Sequence, residues 1–320
     1  MQFNKDKVLN LLEYLGVRSK SYSHSTSPVD YDPSDPLKYF LNQKSRASYN
    51  GPYDDTGIPL FQSQGKLVHF PIFITLYGLG HVELYRTTNN ENNLSKSIGV
   101  ANWLCDYQQN SGVWLTNIKV KKFGLHNPWP SAMGQGLAIS MLTRVFQITK
   151  NEKYLDKAKK AIQPYQKTYD KGGVAGYIGN LVIYDEYPSS LQCHVLNGFI
   201  FALWGLFDIS RISGDETARR LYEEGLHTLN KILPMYDTGY WSLYHLAGGI
   251  KNPATIPYHR LHVNQLNALY LMTNDSIYKE FADRWQEYLQ SRFSALMSLP
   301  MKLLWIAANE IISPRALTSV

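Results

Sequence analysis

The sequence predicts an all-α dominated protein: an α/α barrel, a toroid of inner and outer helix pairs, with a few short β-hairpins in the long rim loops. Three observations favour this fold class. Pro71, Pro130, Pro188 and Pro257 recur at intervals of roughly 60 residues, a spacing typical of repeated helical units. Each proline precedes an apolar helical run. Each run leads through a tight polar turn into an amphipathic helix. An α-solenoid is the alternative architecture.

Three segments are expected along the chain. Residues 1–56 should form an N-terminal helix and an extended segment that pack on the barrel. Residues 57–292 should form the catalytic barrel, and residues 293–320 a C-terminal helix docked on it. A chain of 320 residues is also long enough for two smaller domains.

Composition narrows the class of protein. Hydrophobic residues make up 44% of the chain, as in soluble globular proteins. The 32 Lys and Arg residues exceed the 26 Asp and Glu residues, so the net charge of +6 suits a polyanionic partner. The sequence has no basic helix, P-loop, dinucleotide fingerprint or nucleophile elbow, so nucleic-acid and nucleotide binding are not predicted.

Cysteine spacing and the two ends of the chain indicate the compartment. Cys105 and Cys193 lie in hydrophobic helical patterns without C-x-x-C spacing, which predicts buried free thiols. The start, MQFNKDKVLNLLEYLGV, lacks the apolar stretch of a signal peptide. The C-terminal run ALMSLPMKLLWIAANEII contains Pro300, Lys302 and Glu310, which would be costly in lipid. We therefore expect a cytoplasmic protein without a membrane span.

The tight turns and the long connections should lie on opposite rims. The tight turns are TTNNENN (87–93), TKNEK (149–153), SGDET (213–217) and TNDSI (273–277). The long connections span residues 43–69, 110–130, 166–189 and 235–257. Within them, QGKLVHF and VAGYIGNLVIY are expected to be hairpin pieces. Parallel inner helices bring the long connections and the helix N-termini to one rim, a setting that favours a functional site and a bound anion. Pro188 is expected at a first helical position.

Chemically useful residues fall on this expected rim. They are Trp129, Glu186, Tyr187, Tyr244 and Tyr258. A carboxylate with several tyrosines suits removal of a proton from a carbon next to a carboxylate, where a base must lie near the carbon. A further group must neutralise the charge that moves into the substrate carboxylate. Return of the proton to the opposite face gives epimerisation, whereas expulsion of a leaving group from the next carbon gives a lyase.

Two other kinds of site remain open at this point. His259 and His262 lie three residues apart and could bind a metal, but no third ligand motif accompanies them, so no metal is predicted. Glu186 could pair with Asp185 or Asp237 as the two acids of an inverting glycoside hydrolase.

Several ordered motifs resemble one family. They are FPIFITLYGLGH (70–81), WPSAMGQGLAIS (129–140), DEYPSSLQCHVLNGF (185–199), LPMYDTG (233–239) and YHRLHVNQL (258–266). They look like the C-terminal α/α-barrel domain of D-glucuronyl C5-epimerases, the heparan sulfate and heparosan enzymes. The resemblance implies inversion at C5 of glucuronate within a polysaccharide, giving iduronate, with no cofactor. The implied partner is an acidic, glucuronate-containing polysaccharide, and a homodimer is left open.

The resemblance also implies roles for particular residues. The family's acid/base group falls on Glu186, Tyr187, Tyr244 and Tyr258, and its substrate-contacting Asn falls on Asn197. We expect Glu186 and Tyr258 on opposite faces of C5. The other two tyrosines would then bind the carboxylate or relay protons, and which group is the acid stays open. Further expected substrate contacts are Trp129, Gln135, Arg260 and His262.

The chain departs from the family pattern in two respects. Animal enzymes carry an Arg, suited to the substrate carboxylate, at the position of Ala247 here. Arg260 or Lys251 could supply that charge, or the substrate could differ, for example a capsule-type polymer or a lipid-linked precursor. The family's β-rich module, which precedes the barrel core, is not recognisable here. A polysaccharide-binding barrel without catalysis is the non-enzymatic alternative.

Overall fold

A computed structural model of the chain describes residues 28–120, 123–125 and 127–312. The N-terminal helix predicted within residues 1–56 is not among the described elements, because residues 1–27 lie outside the described residues. Within the described part of the chain, helices dominate and every sheet is a two-stranded antiparallel hairpin. The predicted helical class with short hairpins is therefore confirmed.

In the described part of the chain, each hairpin is followed by a pair of helices, and two of the four hairpins were predicted. The helices are α1 (Pro71–Thr88), α2 (Glu91–Tyr107), α3 (Ala132–Thr149), α4 (Glu152–Lys160), α5 (Leu196–Ser213), α6 (Glu216–Ile232), α7 (Ile256–Thr273), α8 (Ser276–Gln290) and α9 (Arg292–Ile312). The strands are β1 (Phe61–Ser63), β2 (Lys66–Val68), β3 (Leu115–Thr116), β4 (Trp129–Pro130), β5 (Ala175–Ile178), β6 (Leu181–Tyr184), β7 (Leu243–His245) and β8 (Asn252–Pro253). One hairpin stands in each long connection, before α1, α3, α5 and α7.

The chain divides into two compact units. The larger unit, Asp30–Lys231, holds α1 to α5 and all but the last residue of α6. The smaller unit holds Pro28, Val29 and the described residues from Ile232 onward, with α7, α8 and α9. In the described part of the chain, no helix has the length and hydropathy that crossing a bilayer requires.

The four tight turns share one local structure. The residue that ends each inner helix adopts a left-handed backbone, which closes the helix. These residues are Asn89, Lys150, Gly214 and Asn274, with φ of 51°, 55°, 66° and 54°. The next residue is an Asn or Asp whose side chain accepts a hydrogen bond from the first turn of the outer helix. These capping residues are Asn90, Asn151, Asp215 and Asp275.

The core of the larger unit is formed by α1, α3 and α5, which pack side by side and are buried over most of their length. At the closest approach of α3 and α5, a methyl group on Gly136 would lie 2.7 Å from Cα of Ala202. Glycine is therefore required there. Arg144 on α3 and Asp208 on α5 form a fully buried ion pair, with Nη1 and Oδ2 2.5 Å apart.

The predicted start of the inner helix after Pro188 is wrong. The helix α5 begins only at Leu196, and residues 188–195 form an irregular segment in which Gln192 and His194 have φ of 46° and 48°. Two left-handed residues interrupt helical hydrogen bonding, so the chain cannot continue as one helix from Pro188. Cys193 is a buried free thiol as predicted, but it lies in this segment and not in a helix.

The smaller unit is built on α7 and α8, which pack against each other. Pro257 lies in the first turn of α7, as predicted for a proline that starts an inner helix. The helix α9 packs on α8 and on β8. Its Lys302 Nζ donates to Asn252 Oδ1 at 2.7 Å and to the Pro253 carbonyl at 2.9 Å.

Candidate active site

Glu186 lies where the connection after β6 passes the start of α5. Its side chain is 5% exposed and packs on Gly198, where a methyl group would lie 2.5 Å from Cβ and 2.6 Å from Oε2 of Glu186. Gly198 is the third residue of α5, and Asn197 beside it is buried. The first turn of a helix presents N–H groups that favour a carboxylate. The sequence thus places a buried acid against a helix N-terminus.

Tyr187 is held by two other aromatic rings of the larger unit. It stacks on Phe123 with ring centroids 4.3 Å apart, and the ring of Trp129 lies 5.6 Å away. Trp129 is itself fixed, because its Nε1 donates to the Ile118 carbonyl at 2.8 Å. The structure therefore brings together three of the predicted site residues in this unit: Trp129, Glu186 and Tyr187.

Sequence reasoning missed a polar cluster directly beside Glu186. The Tyr169 phenol donates to Oδ2 of Asp185, and Nδ1 of His194 lies 3.0 Å from the same oxygen. Asp185 is 1% exposed. Burial raises the pKa of its carboxyl group, and the hydrogen bond and charge of His194 act in the opposite direction. A buried acid with two partners is a feature of organised sites.

A groove of about 690 Å³ lies in the larger unit along the same connections. Its size falls within the usual range of ligand sites, roughly 300–1,000 Å³. Aromatic, hydroxyl and amide side chains contribute to its wall. They include Trp129, Tyr169, Tyr177, Ser189, Ser190 and Gln192.

The smaller unit contains the other two predicted catalytic tyrosines. Tyr244 lies on β7 and Tyr258 in the first turn of α7, and their rings meet edge to face with centroids 4.9 Å apart. The side-chain oxygen of Thr255 caps α7 by accepting from the Tyr258 N–H. Ala247, at the position of the family's Arg, lies in the loop between β7 and β8.

The cations of the smaller unit differ in exposure. Arg260 and Lys251, the two predicted substitutes for the missing Arg, are both exposed. Lys302, which sequence reasoning did not consider for the site, is 8% exposed and is held beside the β7–β8 hairpin by α9. A buried cation on a distant helix carries no local motif, so the sequence offered no signal for it.

Gln135 was predicted to contact the substrate, but its side chain forms hydrogen bonds to main-chain groups. The Trp114 N–H donates to its Oε1 at 2.8 Å, and its Nε2 donates to the carbonyls of Gly112 at 3.0 Å and Ala161 at 3.3 Å. The side chain is fully buried. These bonds fix the connection before β3 onto α3, which is a structural role.

His259 and His262 are both engaged by the Ser242 hydroxyl. Their Nδ1 atoms lie 2.7 Å and 2.9 Å from the Ser242 hydroxyl, and Nε2 of His259 lies 3.0 Å from the Trp285 carbonyl. Burial lowers the pKa of His259 to about 3 and that of His262 well below its ordinary value. His262 is fully buried, so its predicted substrate contact would require the structure to open. Among the described residues, no group of three potential ligands could hold a metal ion.

The carboxylate pairs of a glycoside hydrolase are also not supported. Asp185 is occupied by Tyr169 and His194, and Asp237 is bonded to Arg284 Nη1 at 3.1 Å and to the Gly239 N–H at 2.9 Å. An inverting hydrolase needs a second carboxylate free to activate water. Neither partner proposed for Glu186 is free in this way.

Comparisons with known proteins agree with the motifs. The family model described as "D-glucuronyl C5-epimerase C-terminus" matches residues 108–287. A D-glucuronyl C5-epimerase of Caenorhabditis elegans is 36% identical over 222 residues, which cover 63% of this chain and 36% of that protein. An uncharacterized protein of Methanocaldococcus jannaschii, MJ1128, is 33% identical over 183 residues, which cover 55% of this chain and 57% of that protein. The chain thus spans only part of the length of each relative.

A solved structure supports the fold. Cellobiose 2-epimerase from Bacillus thermoamylovorans is similar with a TM-score of 0.53 and 12% identity, over 68% of this chain and 59% of that protein. At this identity the likeness concerns the fold alone, and it confirms the predicted α/α-barrel class. The family model covers more than half of the 320 residues. This chain therefore belongs to the D-glucuronyl C5-epimerase family.

Proposed function

We propose that this chain is a carbohydrate epimerase that converts D-glucuronate to L-iduronate residues in a polysaccharide. The main observation behind the proposal is the position of Glu186. This buried acid packs on the first turn of α5, and the next residue, Tyr187, is held by stacking on Phe123. Membership of the family supports the reaction class.

The reaction needs two proton-handling groups. One group removes the proton at C5 while charge moves into the adjacent carboxylate, and another group returns a proton to the opposite face. We assign these two roles to Glu186 and Tyr258. Tyr187 and Tyr244 would bind the carboxylate or relay protons, and Asn197 would contact the sugar. Each of these tyrosines touches another aromatic ring, which limits its freedom to turn.

The test is NMR of heparosan incubated with the protein in D₂O. We expect deuterium at C5 and iduronate signals, without the ultraviolet absorbance of unsaturated chain ends. Unsaturated ends would identify a lyase instead. The same assay should be run on a panel of uronate polymers that includes capsule-type polymers. If the protein binds these polymers but no H5 exchanges with solvent deuterium, catalysis is contradicted and a polysaccharide-binding barrel is favoured.

Two variants test the assigned roles. Glu186→Gln and Tyr258→Phe should each lower the rate of epimerisation by about 10²- to 10⁴-fold, the usual contribution of a general acid or base. Tyr107→Phe is the matched control, because its phenol donates to the Leu115 carbonyl at 3.1 Å, and the variant should leave the rate unchanged. Normal turnover by either site variant would refute its assignment.

A further inference from the structure

We propose that Tyr169 is an additional substrate-contacting residue, which Asp185 and His194 hold in the groove of the larger unit. Its phenolic oxygen would accept a hydrogen bond from an uncharged hydroxyl or amide group of a sugar next to the uronate. This inference rests on the proposed function in one respect, namely that the ligand is a uronate-containing glycan.

The position of Tyr169 is determined from several sides. The residue begins a short 3₁₀ turn, Tyr169–Lys171, and its half-buried ring lines the groove. The ring passes over Gly176, where any added methyl group would collide with the phenol. The phenol hydrogen is donated to Asp185. A glycine that leaves room for the ring and an acid that orients its hydroxyl together indicate a fixed group.

Asp185 is in turn anchored through its main chain. Its N–H donates to the Val174 carbonyl at 2.9 Å, and its carbonyl accepts from the Ala132 N–H at 3.0 Å. These bonds tie the acid both to the residue before β5 and to the first residue of α3. Nδ1 of His194 fixes the carboxylate from another side. Asp185 and His194 are therefore positioning residues, since they act on the groove through Tyr169.

The hydrogen bond to Asp185 also determines what Tyr169 can recognise. Because its only hydrogen is already donated, the phenolic oxygen can offer only a lone pair, so the ligand group must be a donor. The Asp185 carboxyl group lies directly behind the phenol, and Asp170 is part of the groove lining. Acidic groups at this point disfavour a carboxylate or sulfate, so the donor should belong to an uncharged sugar.

The rest of the groove suits such a sugar. The ring of Tyr177 is 49% exposed and lines the groove, which makes its face available for stacking on a sugar ring. Ser189, Ser190 and Gln192 add hydroxyl and amide groups that can bond to sugar hydroxyls. These last three residues follow shortly after Glu186 and Tyr187 in the chain.

The first experiment compares Tyr169→Phe with the wild type in steady-state kinetics on heparosan. Loss of one neutral hydrogen bond formed equally in the ground and transition states should raise KM about three- to tenfold and leave kcat unchanged. Tyr154→Phe is the matched control, since its phenol bonds to Asn102 Oδ1 at 3.0 Å outside the groove. Equal KM values for the two variants would overturn the inference.

The second experiment tests the positioning roles with a double-mutant cycle. Asp185→Ala should raise KM as Tyr169→Phe does, the double variant should be no worse than either single one, and Asp185→Asn should restore most of the affinity. Gly176→Ala should give the same effect by displacing the phenol, even if Asp185→Ala does not fold. Additive effects in the cycle would show that Asp185 does not act through Tyr169.

A direct titration separates this inference from the proposed function. The probe is tri-N-acetylchitotriose, a neutral oligomer of an amide-bearing sugar, followed by NMR or calorimetry. We expect the wild type to bind it and Tyr169→Phe to bind about three- to tenfold more weakly. Absence of binding, or equal binding by both proteins, would refute the groove assignment even if heparosan is epimerised. Binding with the expected difference would uphold it even if no uronate polymer exchanges its H5.

Discussion

Gly198 explains how Glu186 can lie against the helix α5. The glycine leaves a space that the Glu186 side chain fills, with Cβ and Oε2 within 2.6 Å of where a methyl group would stand. The motif around it reads as an ordinary buried helix start, so the sequence alone indicated Asn197 beside it but not Gly198. Its importance follows from the packing and not from its backbone angles.

Gly198→Ala should therefore separate activity from stability. The methyl group would push the Glu186 carboxylate out of place, and we expect the epimerisation rate to fall by about 10- to 100-fold. Alanine stabilises a helix interior by up to about 1 kcal/mol relative to glycine, which offsets part of the strain. The measurement is the rate of H5 exchange beside a thermal melt. Gly99→Ala on α2 is the control, because its added methyl group would meet nothing within 4 Å beyond the adjoining residues and the backbone of its own helix. Unchanged exchange in Gly198→Ala would show that Glu186 does not depend on this contact.

The residues of the candidate site differ in how far the sequence could predict them. Glu186 and Tyr187 stand in one short motif, and both could be predicted from it. Tyr169 lies sixteen residues before Asp185, on the other side of the β5–β6 hairpin, and nothing in the local pattern links the two. Only the hairpin register, with Ala175 opposite Tyr184, brings them together. Contacts made by the fold, rather than by neighbours in the chain, are what the sequence could not indicate.

The four tight turns show why the helical repeat could be predicted from the sequence. Each turn combines a left-handed residue with an Asn or Asp cap, and both features leave a trace in composition. The hairpins β3–β4 and β7–β8 left no such trace, because long connections (residues 117–128 and 246–251) separate their strands, whereas the predicted hairpins β1–β2 and β5–β6 turn within residues 64–65 and 179–180. The delayed start of α5 was missed because Pro188 looked like a first helical residue.

The turn after α3 is the weakest of the four, since its left-handed residue is Lys150 and not Gly or Asn. Lys150→Gly should raise the free energy of unfolding by about 0.5–1 kcal/mol, because a residue with a Cβ is strained in this conformation. The reverse change, Gly214→Lys at the equivalent turn after α5, should lower it by a similar amount. Urea denaturation of both variants measures the difference. A loss of stability in Lys150→Gly would contradict the shared-turn interpretation.

The inner helices α3 and α5 also depend on one buried ion pair. Arg144 bonds to Asp208, and its guanidinium also donates to the carbonyls of Leu37 and Lys38, so it joins both helices to the segment before them. Arg144→Met should cost about 3 kcal/mol, because the buried Asp208 loses its close partner and keeps the longer contact to Arg211 Nη2 at 3.4 Å. Adding Asp208→Leu should recover much of this loss.

An exposed ion pair supplies the control for this prediction. Arg220 and Glu224 lie 2.9 Å apart on α6, and both side chains are exposed. Arg220→Met should cost less than about 1 kcal/mol, as exposed pairs usually do. Urea denaturation measures all of these variants. Equal losses for Arg144→Met and Arg220→Met would show that burial of the first pair does not matter.

The fold class of the molecule was easier to predict from the sequence than the full set of residues that form the site. Each repeated segment contains an apolar helical run followed by an amphipathic one, and this periodicity predicted the α/α-barrel class. The site also needs charges whose environment only the structure defines. Arg260 was predicted to contact the substrate and is exposed, whereas the buried Lys302 of α9 bonds to Asn252 and to the Pro253 carbonyl. A fold can be inferred from local patterns, but a site requires the side chains that distant segments contribute.

The buried histidines of the smaller unit make the stability of the whole protein sensitive to acid. Burial holds the pKa of His259 near 3 and that of His262 well below its ordinary value. The unfolded chain therefore binds more protons than the folded protein as the pH falls below about 6.5, and stability present above that pH is lost. At pH 5 the loss relative to pH 7 should be about 2 kcal/mol for each buried neutral histidine.

Urea denaturation at pH 7 and pH 5 tests this prediction. His262→Gln removes one buried neutral histidine, so the difference in unfolding free energy between the two pH values should fall by about 2 kcal/mol. His227→Gln is the control, because His227 is exposed on α6 and the difference should stay as in the wild type. Comparison with the wild type cancels the opposing contribution of Asp185, whose carboxyl pKa is raised by burial and whose stability contribution is lost as the pH rises. An equal pH difference in His262→Gln and the wild type would mean that His262 is not buried in its neutral form, and the arrangement around Ser242 would then have to differ in solution.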